Sequence, residues 1–389
     1  MPGPLDGVRV LSFGRVLSGP YAAMLMADLG AEVIKIENPA KGDPARANSP
    51  FIDDLSSYFL SVNRGKKSVA LDVRSEKAKE LIKQIVPQVD IILENFRPGV
   101  MKKIGLDYDA AKELNQKIIY VSISGFGQVG EYSQKPAYDL VAQAMGGTIS
   151  ITGEPGRPPV RVGYSIGDLG AALYATVATV AALYEREKTG KGQHIDVSMV
   201  DSQMALCENA CARFFATGKI PRPIGTKHPL VAPFQIFPTQ TDDMAVVTFK
   251  NEDWGNLCRA IGKKEWIEDE RFSVMQQRLA NYAILEPMLI DVFRQKPRDE
   301  WLAFFEKNGV IASPVNNIQQ VTSDPHILSR EMVVDVAHPR FESLKVVGTP
   351  MKFSRTPCEI KKASPDLGEH THEILEEMLG LSPEEIDNL

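Results

Sequence analysis

Asp168 is the residue whose setting most invites chemistry. It follows Gly167 and opens a long apolar stretch, the ordinary place for a helix N-cap. Backbone N–H donors and the helix dipole hold a carboxylate ionised there. Facing a cleft, the same group is an aimed oxygen nucleophile of the kind that forms acyl or phosphoryl esters. Spacing alone does not choose between cap and nucleophile. Other constellations say less. Cys207 and Cys211 stand i, i+4 on one stretch with no His nearby, and His370 and His372 lie near the C-terminus without partners. They read as core and surface residues, so no metal is expected. No G-x-S-x-G elbow is present, against a serine hydrolase. The loop Gly14–Gly19 follows a short apolar run, and Glu37 stands where an acidic residue would hold a ribose. The loop is not G-x-G-x-x-G, so a pyrophosphate cannot approach its backbone, and a plain strand–helix turn is favoured over a dinucleotide site. A phosphate held in another geometry at this helix start stays open.

These residues need a frame. Val8–Phe13, Ala31–Glu37, Ser68–Val73, Asp90–Leu93 and Ile118–Ser124 are strand-like runs, and Leu60–Val62 also reads as extended. Gly19–Leu29 and the Ala78, Leu81, Ile82, Ile85 set carry helical spacing between them. Strands alternating with helices predict βαβ units and a buried parallel sheet, a Rossmann-like α/β fold, with ligands beyond the carboxyl ends of the strands. The loops 14–20, 38–44, 95–99 and 125–136 are therefore the ones to search. A long helix is expected from Asp168 and another over about 199–216. Pro221–Pro238, with five prolines, reads as an extended crossing. A smaller α+β unit is expected beyond it.

The 389 residues suggest two or three domains at roughly 150 each. Lys plus Arg at 44 against Asp plus Glu at 50 leaves net −6, which argues against nucleic acid as partner. The charge-free stretch Leu169–Tyr184 is 16 residues, short of the roughly 18–20 that span a bilayer, so it reads as a core helix and no membrane association is expected. No secretory signal is visible at the N-terminus, and four Cys without C-x-x-C suit a reducing cytoplasm.

Nine segments, in order over nearly the whole chain, resemble the class III CoA-transferases, which include formyl-CoA and carnitine CoA-transferases. They are Pro4–Leu11, Ser18–Tyr21 through Asp28–Glu37, Asn63–Ser68 leading to Leu71–Arg74, Glu94–Gly99, Ser124–Gln128, Tyr138–Leu140, Gly167–Gly170, Thr189–Gln193 and Leu367–Thr371. The resemblance implies that Asp168 attacks a donor acyl-CoA, giving an aspartyl anhydride and then an aspartyl-CoA thioester before an acceptor acid takes the CoA. It implies CoA contacts at Val16, Leu17, Leu71, Arg74, Asn95, Phe96, Lys103, Lys135, Tyr138 and Asp139. Arg74, Lys103 and Lys135 would be phosphate partners and Phe96 an adenine platform. It further implies no cofactor apart from CoA as substrate, and an interlocked homodimer. The large domain would comprise 1–195 with 320–389, the small domain 225–305, and the linkers 196–224 and 306–319.

The chain departs from formyl-CoA transferase in carrying Leu17 and Asn38, and in lacking a run of glycines over the active site. The corresponding stretch is Ile224–Pro233, in which Gly225 and His228 would shape a different acid pocket. Formate and oxalate are thereby disfavoured as substrates. Two alternatives stand beside transfer. An α-methylacyl-CoA racemase needs a base on each face of the α-carbon, and its Gly-His-Asp motif reads Ala137-Tyr138-Asp139 here. A non-catalytic acyl-CoA binder would keep the loops and dispense with Asp168.

Overall fold

A computed structural model of the chain describes residues 2–360 and 362–389. It divides into two compact units, one of Met1–Thr148, Arg161–Gly218 and Pro325–Leu389, the other of Ile149–Val160 and Lys219–Asp324.

The first unit runs β1 (Arg9–Ser12), α1 (Ser18–Asp28), β2 (Glu32–Glu37), a short hairpin β3 (Phe51–Ile52) and β4 (Leu55–Ser56), α2 (Ser57–Asn63), β5 (Lys66–Ala70) and α3 (Glu76–Ile85). It continues with β6 (Ile91–Glu94), α4 (Val100–Lys103), α5 (Tyr108–Leu114), β7 (Ile119–Ser124), α6 (Asp139–Met145), α7 (Ile166–Thr189), β8 (His194–Ser198), α8 (Met199–Leu206) and α9 (Glu208–Thr217). Six strands form one sheet in the order β5-β2-β1-β6-β7-β8, parallel throughout, with Val10 opposite both Val33 and Ile91. The expected parallel α/β sheet is thus present. Period-two alternation sends Leu11, Ile34, Val69 and Ile92 to one face, under α3 and the C-terminal helix Thr371–Leu379. It sends Val10, Val33, Leu93, Val121 and Ile123 to the other, under α1 and α7.

Alanines decide how closely α1 and α7 approach. Ala22 and Ala23 on one, with Ala171, Ala172 and Ala175 on the other, are fully buried in the same cluster. With so little side chain between the axes, the backbones come near. Both helices start at the carboxyl end of the sheet, so their N-termini meet there. α7 is long and apolar enough to cross a membrane by length and composition, but half of its most apolar stretch is buried inside the protein.

Three expectations need correction. Leu60–Val62 is helical: Ser56 caps α2 by accepting the Phe59 N–H at 3.2 Å, and a three-residue apolar run carries no period to reveal that. α7 starts at Ile166 with Ser165 as N-cap, so Asp168 is in its first turn and does not cap it. The single helix expected over about 199–216 is split at Cys207 into α8 and α9.

The second unit has its own antiparallel sheet of β9 (Phe234–Phe237), β10 (Met244–Val247) and β11 (Ile311–Pro314), in the order β11-β10-β9. Helices α10 (Asn251–Ala260), α11 (Met275–Ala280), α12 (Tyr282–Phe293) and α13 (Arg298–Lys307) accompany it. Its core is aromatic, built on Phe237, Trp254, Phe272, Phe293, Trp301 and Phe305. The stretch 306–319 holds β11, registered with Val247 opposite Ile311, and so is not the linker expected of it. β9 lies inside the proline-rich Pro221–Pro238 segment, at its end. Residues 149–160 also belong to this unit, fastened by the Gly225 N–H to the Gly153 carbonyl at 2.8 Å.

Candidate active site

Strand β1 ends at Ser12, and the chain turns through Gly14–Leu17 into α1. Gly19 is needed there: a Cβ would lie 2.9 Å from the Gly14 Cα and 3.0 Å from the Asn95 amide. Asn95, just past β6, spends its side chain on this turn. Its Oδ1 accepts the Arg15 N–H at 2.8 Å, and its Nδ2 donates to the Arg15 carbonyl at 2.9 Å and the Ser18 hydroxyl at 3.0 Å. The Val16 N–H donates to Asp43, at 3.0 and 3.3 Å to the two oxygens. Lys35 meets Asp43 at 2.8 Å, both side chains being almost fully buried.

Asp168 comes to this turn from α7. Ser18, the first residue of α1, stands beside this carboxylate, and its hydroxyl and backbone N–H favour the anion. Leu17, the N-cap of α1, offers no capping side chain, and no acidic residue stands in that helix's first turn. The carboxylate therefore supplies α1 with the anion its N-terminus favours. Burial, joined by the charge of Asp139, nevertheless pushes the Asp168 carboxyl up to about 6, against the lowering by Ser18. Asp139, the first residue of α6, is also turned inward. It accepts the Gly167 N–H at 2.8 Å and the Gln143 amide at 2.8 Å, and Arg161 stands 3.4 Å away. A Cβ on Gly167 would sit 3.0 Å from that Asp139 oxygen. This contact, one residue before Asp168, is tighter than most Cβ contacts, so a larger residue would have to push Asp139 aside.

Tyr58 of α2 is the fourth member. Burial, then the charges of Asp168, Asp43 and Asp139, push its phenol up to about 12. Its hydroxyl makes no hydrogen bond to another described residue, which leaves an O–H donor unspent beside three carboxylates. Sequence reading passed over Tyr58, Ser18, Asp43 and Lys35. Only Lys35 carried a signal: a lysine inside the apolar run Val33-Ile34-Lys35-Ile36 has to find a buried partner.

The other expected contact residues occupy loops at the same end of the sheet. Leu17 and Leu71 are buried, at 8% and 3% exposure. Phe96 lies half-buried with the Arg15 guanidinium 5.5 Å from its ring centre. Arg74 is exposed and forks onto Asp72 at 2.9 and 2.8 Å. Lys103 ends α4, exposed. The Lys135 ammonium rests 3.8 Å from the Tyr132 ring centre, and Tyr138 is 79% exposed. Glu37, considered for a ribose, is buried and committed to Arg46, Ser68 and the Asp43 N–H. Gly225 and His228 belong to the second unit, where His228 stacks on Phe234 with ring centres 5.0 Å apart.

The fold and the sequence both recur in known proteins. The family model for CoA-transferase family III matches residues 5–371. Human succinyl-CoA:glutarate CoA-transferase is 37% identical over 377 residues, covering 97% of this chain and 86% of that protein. Acetyl-CoA:oxalate CoA-transferase of Acetobacter aceti is 38% identical over 353 residues, 90% of each. The crystal structure of a CAIB/BAIF family protein from Brucella suis superposes with a TM-score of 0.87 at 36% identity, covering 97% of this chain and 100% of that one. The chain belongs to CoA-transferase family III and is a CoA-transferase acting between an acyl-CoA and a carboxylic acid.

Proposed function

We propose that this enzyme moves CoA from a donor such as succinyl-CoA or acetyl-CoA to a small dicarboxylic acid, with Asp168 as the covalent carrier. The observation that carries this is the setting of Asp168. Favoured by Ser18 but largely desolvated, with its carboxyl pushed up to about 6, it is anionic at neutral pH and poorly hydrated, which suits a nucleophile. The dicarboxylate class follows the names of the human and Acetobacter relatives, whose acceptors are glutarate and oxalate.

The chemistry balances without a net proton. An Asp168 oxygen attacks the donor thioester carbonyl, the C–S bond breaks, and CoA leaves as thiolate. The thiolate attacks the aspartyl carbonyl of the mixed anhydride, and the donor acid departs as carboxylate with one former Asp168 oxygen. The acceptor carboxylate attacks the aspartyl thioester, expelling thiolate again. Attack of the thiolate on the acceptor carbonyl then releases the new acyl-CoA and restores Asp168, now carrying one acceptor oxygen. Each tetrahedral oxyanion needs donors, worth about 2.7–4 kcal/mol apiece. The Gly167 and Leu169 N–H groups are taken by Asp139 and the Ser165 carbonyl, so Tyr58 is the better candidate. Val16, Leu17, Leu71, Asn95, Phe96, Tyr138 and the basic Arg74, Lys103 and Lys135 border the CoA channel. No cofactor is required, and the reaction is that of a cytoplasmic enzyme. Leu173, Tyr174, Val177, Val180 and Tyr184 leave one side of α7 apolar and exposed, which supports a homodimer that covers it.

The test offers succinyl-CoA or acetyl-CoA with glutarate, oxalate and related acids, and detects new thioesters by mass. Transfer that vanishes in Asp168→Ala supports the reading. Deuterium wash-in at the α-carbon of a 2-methylacyl-CoA without acceptor would instead favour racemisation, and CoA binding without either activity a passive binder.

A further inference from the structure

Val16 has a left-handed backbone, with φ at 64°. A β-branched residue adopts that conformation only when its surroundings over-determine it. Here the surroundings are one ion pair. Asp43 accepts the Val16 N–H with both oxygens, and Lys35 donates to Asp43 at 2.8 Å and to the Gly14 carbonyl at 2.6 Å. The pair thus grips the turn at residues 14 and 16, while Asn95 grips residue 15 between them. Asp43 is fixed in its turn, since its own N–H donates to Glu37 at 2.9 Å and its Oδ1 caps the Ala45 N–H at 2.9 Å. Two residues beyond Val16 stands Ser18, whose hydroxyl accepts from the Asn95 amide at 3.0 Å and which lies beside the Asp168 carboxylate, favouring its anion.

We propose that the buried Lys35–Asp43 pair is a positioning device for transfer: Asp43 pins Val16 in its left-handed turn and so keeps Ser18, at the start of α1, beside Asp168. The kinetic side of this inference rests on Asp168 being the nucleophile. A buried ion pair is weak in net stabilisation, because desolvation offsets its attraction. Its tie to a strained turn is a role that an apolar pair could not fill. The groups facing Asp168 are Ser18 from α1, Asp139 from α6 and Tyr58 from α2, with Arg161 behind Asp139. Moving Ser18 away removes a group that favours the anion and leaves the opposing charge of Asp139, so the acidic limb of activity must move to higher pH.

Two double variants separate positioning from plain packing. Both Lys35→Met with Asp43→Asn and Lys35→Met with Asp43→Leu abolish the buried charges, but only Asn keeps an acceptor for the Val16 N–H. The Leu form is expected to lose kcat on the order of 10²-fold, with the acidic limb raised and KM for the acyl-CoA changed far less. The Asn form should lose less than about tenfold, one hydrogen bond being retained. Equal kcat and the same acidic limb in both would overturn the proposal. Should the Leu form not fold, hydrogen exchange of the unaltered enzyme decides. The Val16 amide is expected to exchange far more slowly than an open-loop amide, and free exchange overturns the pinning. Failure of the nucleophile reading looks different: Asp168→Ala would still transfer CoA while the Val16 amide stayed protected.

Discussion

Asp168 and Ser18 bring the starts of two helices together: a carboxylate in the first turn of α7 lies beside the first residue of α1, whose hydroxyl and backbone N–H favour its anion. One negative charge thus lies against two positive helix ends, while burial and Asp139 oppose it. The outcome is a carboxyl pushed up to about 6 that still ionises below neutrality.

The acidic limb of kcat/KM should therefore fall near pH 6, because activity requires the anion and is lost as pH drops through that value. An unperturbed aspartate would place the limb near its ordinary 3.8. The stability sign is opposite. The folded protein holds this proton more tightly than the unfolded chain, so ionising Asp168 between about 4 and about 6 costs stability. Asp168→Asn should consequently unfold at the same or higher temperature at pH 7, by calorimetry, while losing transfer.

Asp139→Asn keeps an oxygen for the Gly167 N–H but removes the charge that disfavours the Asp168 anion. The acidic limb should move to lower pH. A limb that stays in place or moves up would show that Asp139 does not act on Asp168 through its charge.

Much of this frame was legible from the chain alone. Alternating apolar runs marked five of the six parallel strands, and the Gly167-Asp168 pair stood out by position. His194–Ser198 was missed because polar His194 and Asp196 interrupt its apolar character. The start of α7 was placed two residues late, since Ser165 begins the helix without any side-chain cap bond to announce it. The contacts that hold the site were not legible. Asn95 meets Ser18 across 77 positions and Lys35 meets Gly14 across 21. Such pairings come from the register of the sheet and leave no local pattern. Asn95 was read as a contact to CoA, but its side chain makes three hydrogen bonds to the turn.

Asn95→Ala separates those two roles. A residue that holds the Arg15–Ser18 turn should cost kcat chiefly, on the order of tenfold to 10²-fold, and about 1–3 kcal/mol of stability for the polar groups left unpaired. A residue that only touches CoA would raise KM and leave kcat and the melting temperature in place.

Tyr58→Phe removes an O–H that bonds to no described residue, so the fold should be unaffected in a thermal melt. If that O–H meets the tetrahedral oxyanion, kcat should fall on the order of 10²-fold. A Phe variant with full kcat would remove Tyr58 from the reaction.

Two buried charges offer a stability check away from the site. Arg64 forks onto Asp28 at 3.0 and 2.6 Å, both side chains buried. Asp28→Ala strands the guanidinium and should cost about 3–5 kcal/mol in denaturant unfolding. A change below about 1 kcal/mol, the range of a surface pair, would contradict this.

The most direct measurement follows an oxygen atom. With an acceptor acid labelled with heavy oxygen at its carboxylate, each turnover should leave one labelled oxygen on Asp168. Digestion and mass analysis should find the label in the peptide carrying Asp168 and at that residue, accumulating with product. Efficient transfer with no label in that peptide would contradict an acyl group carried on Asp168.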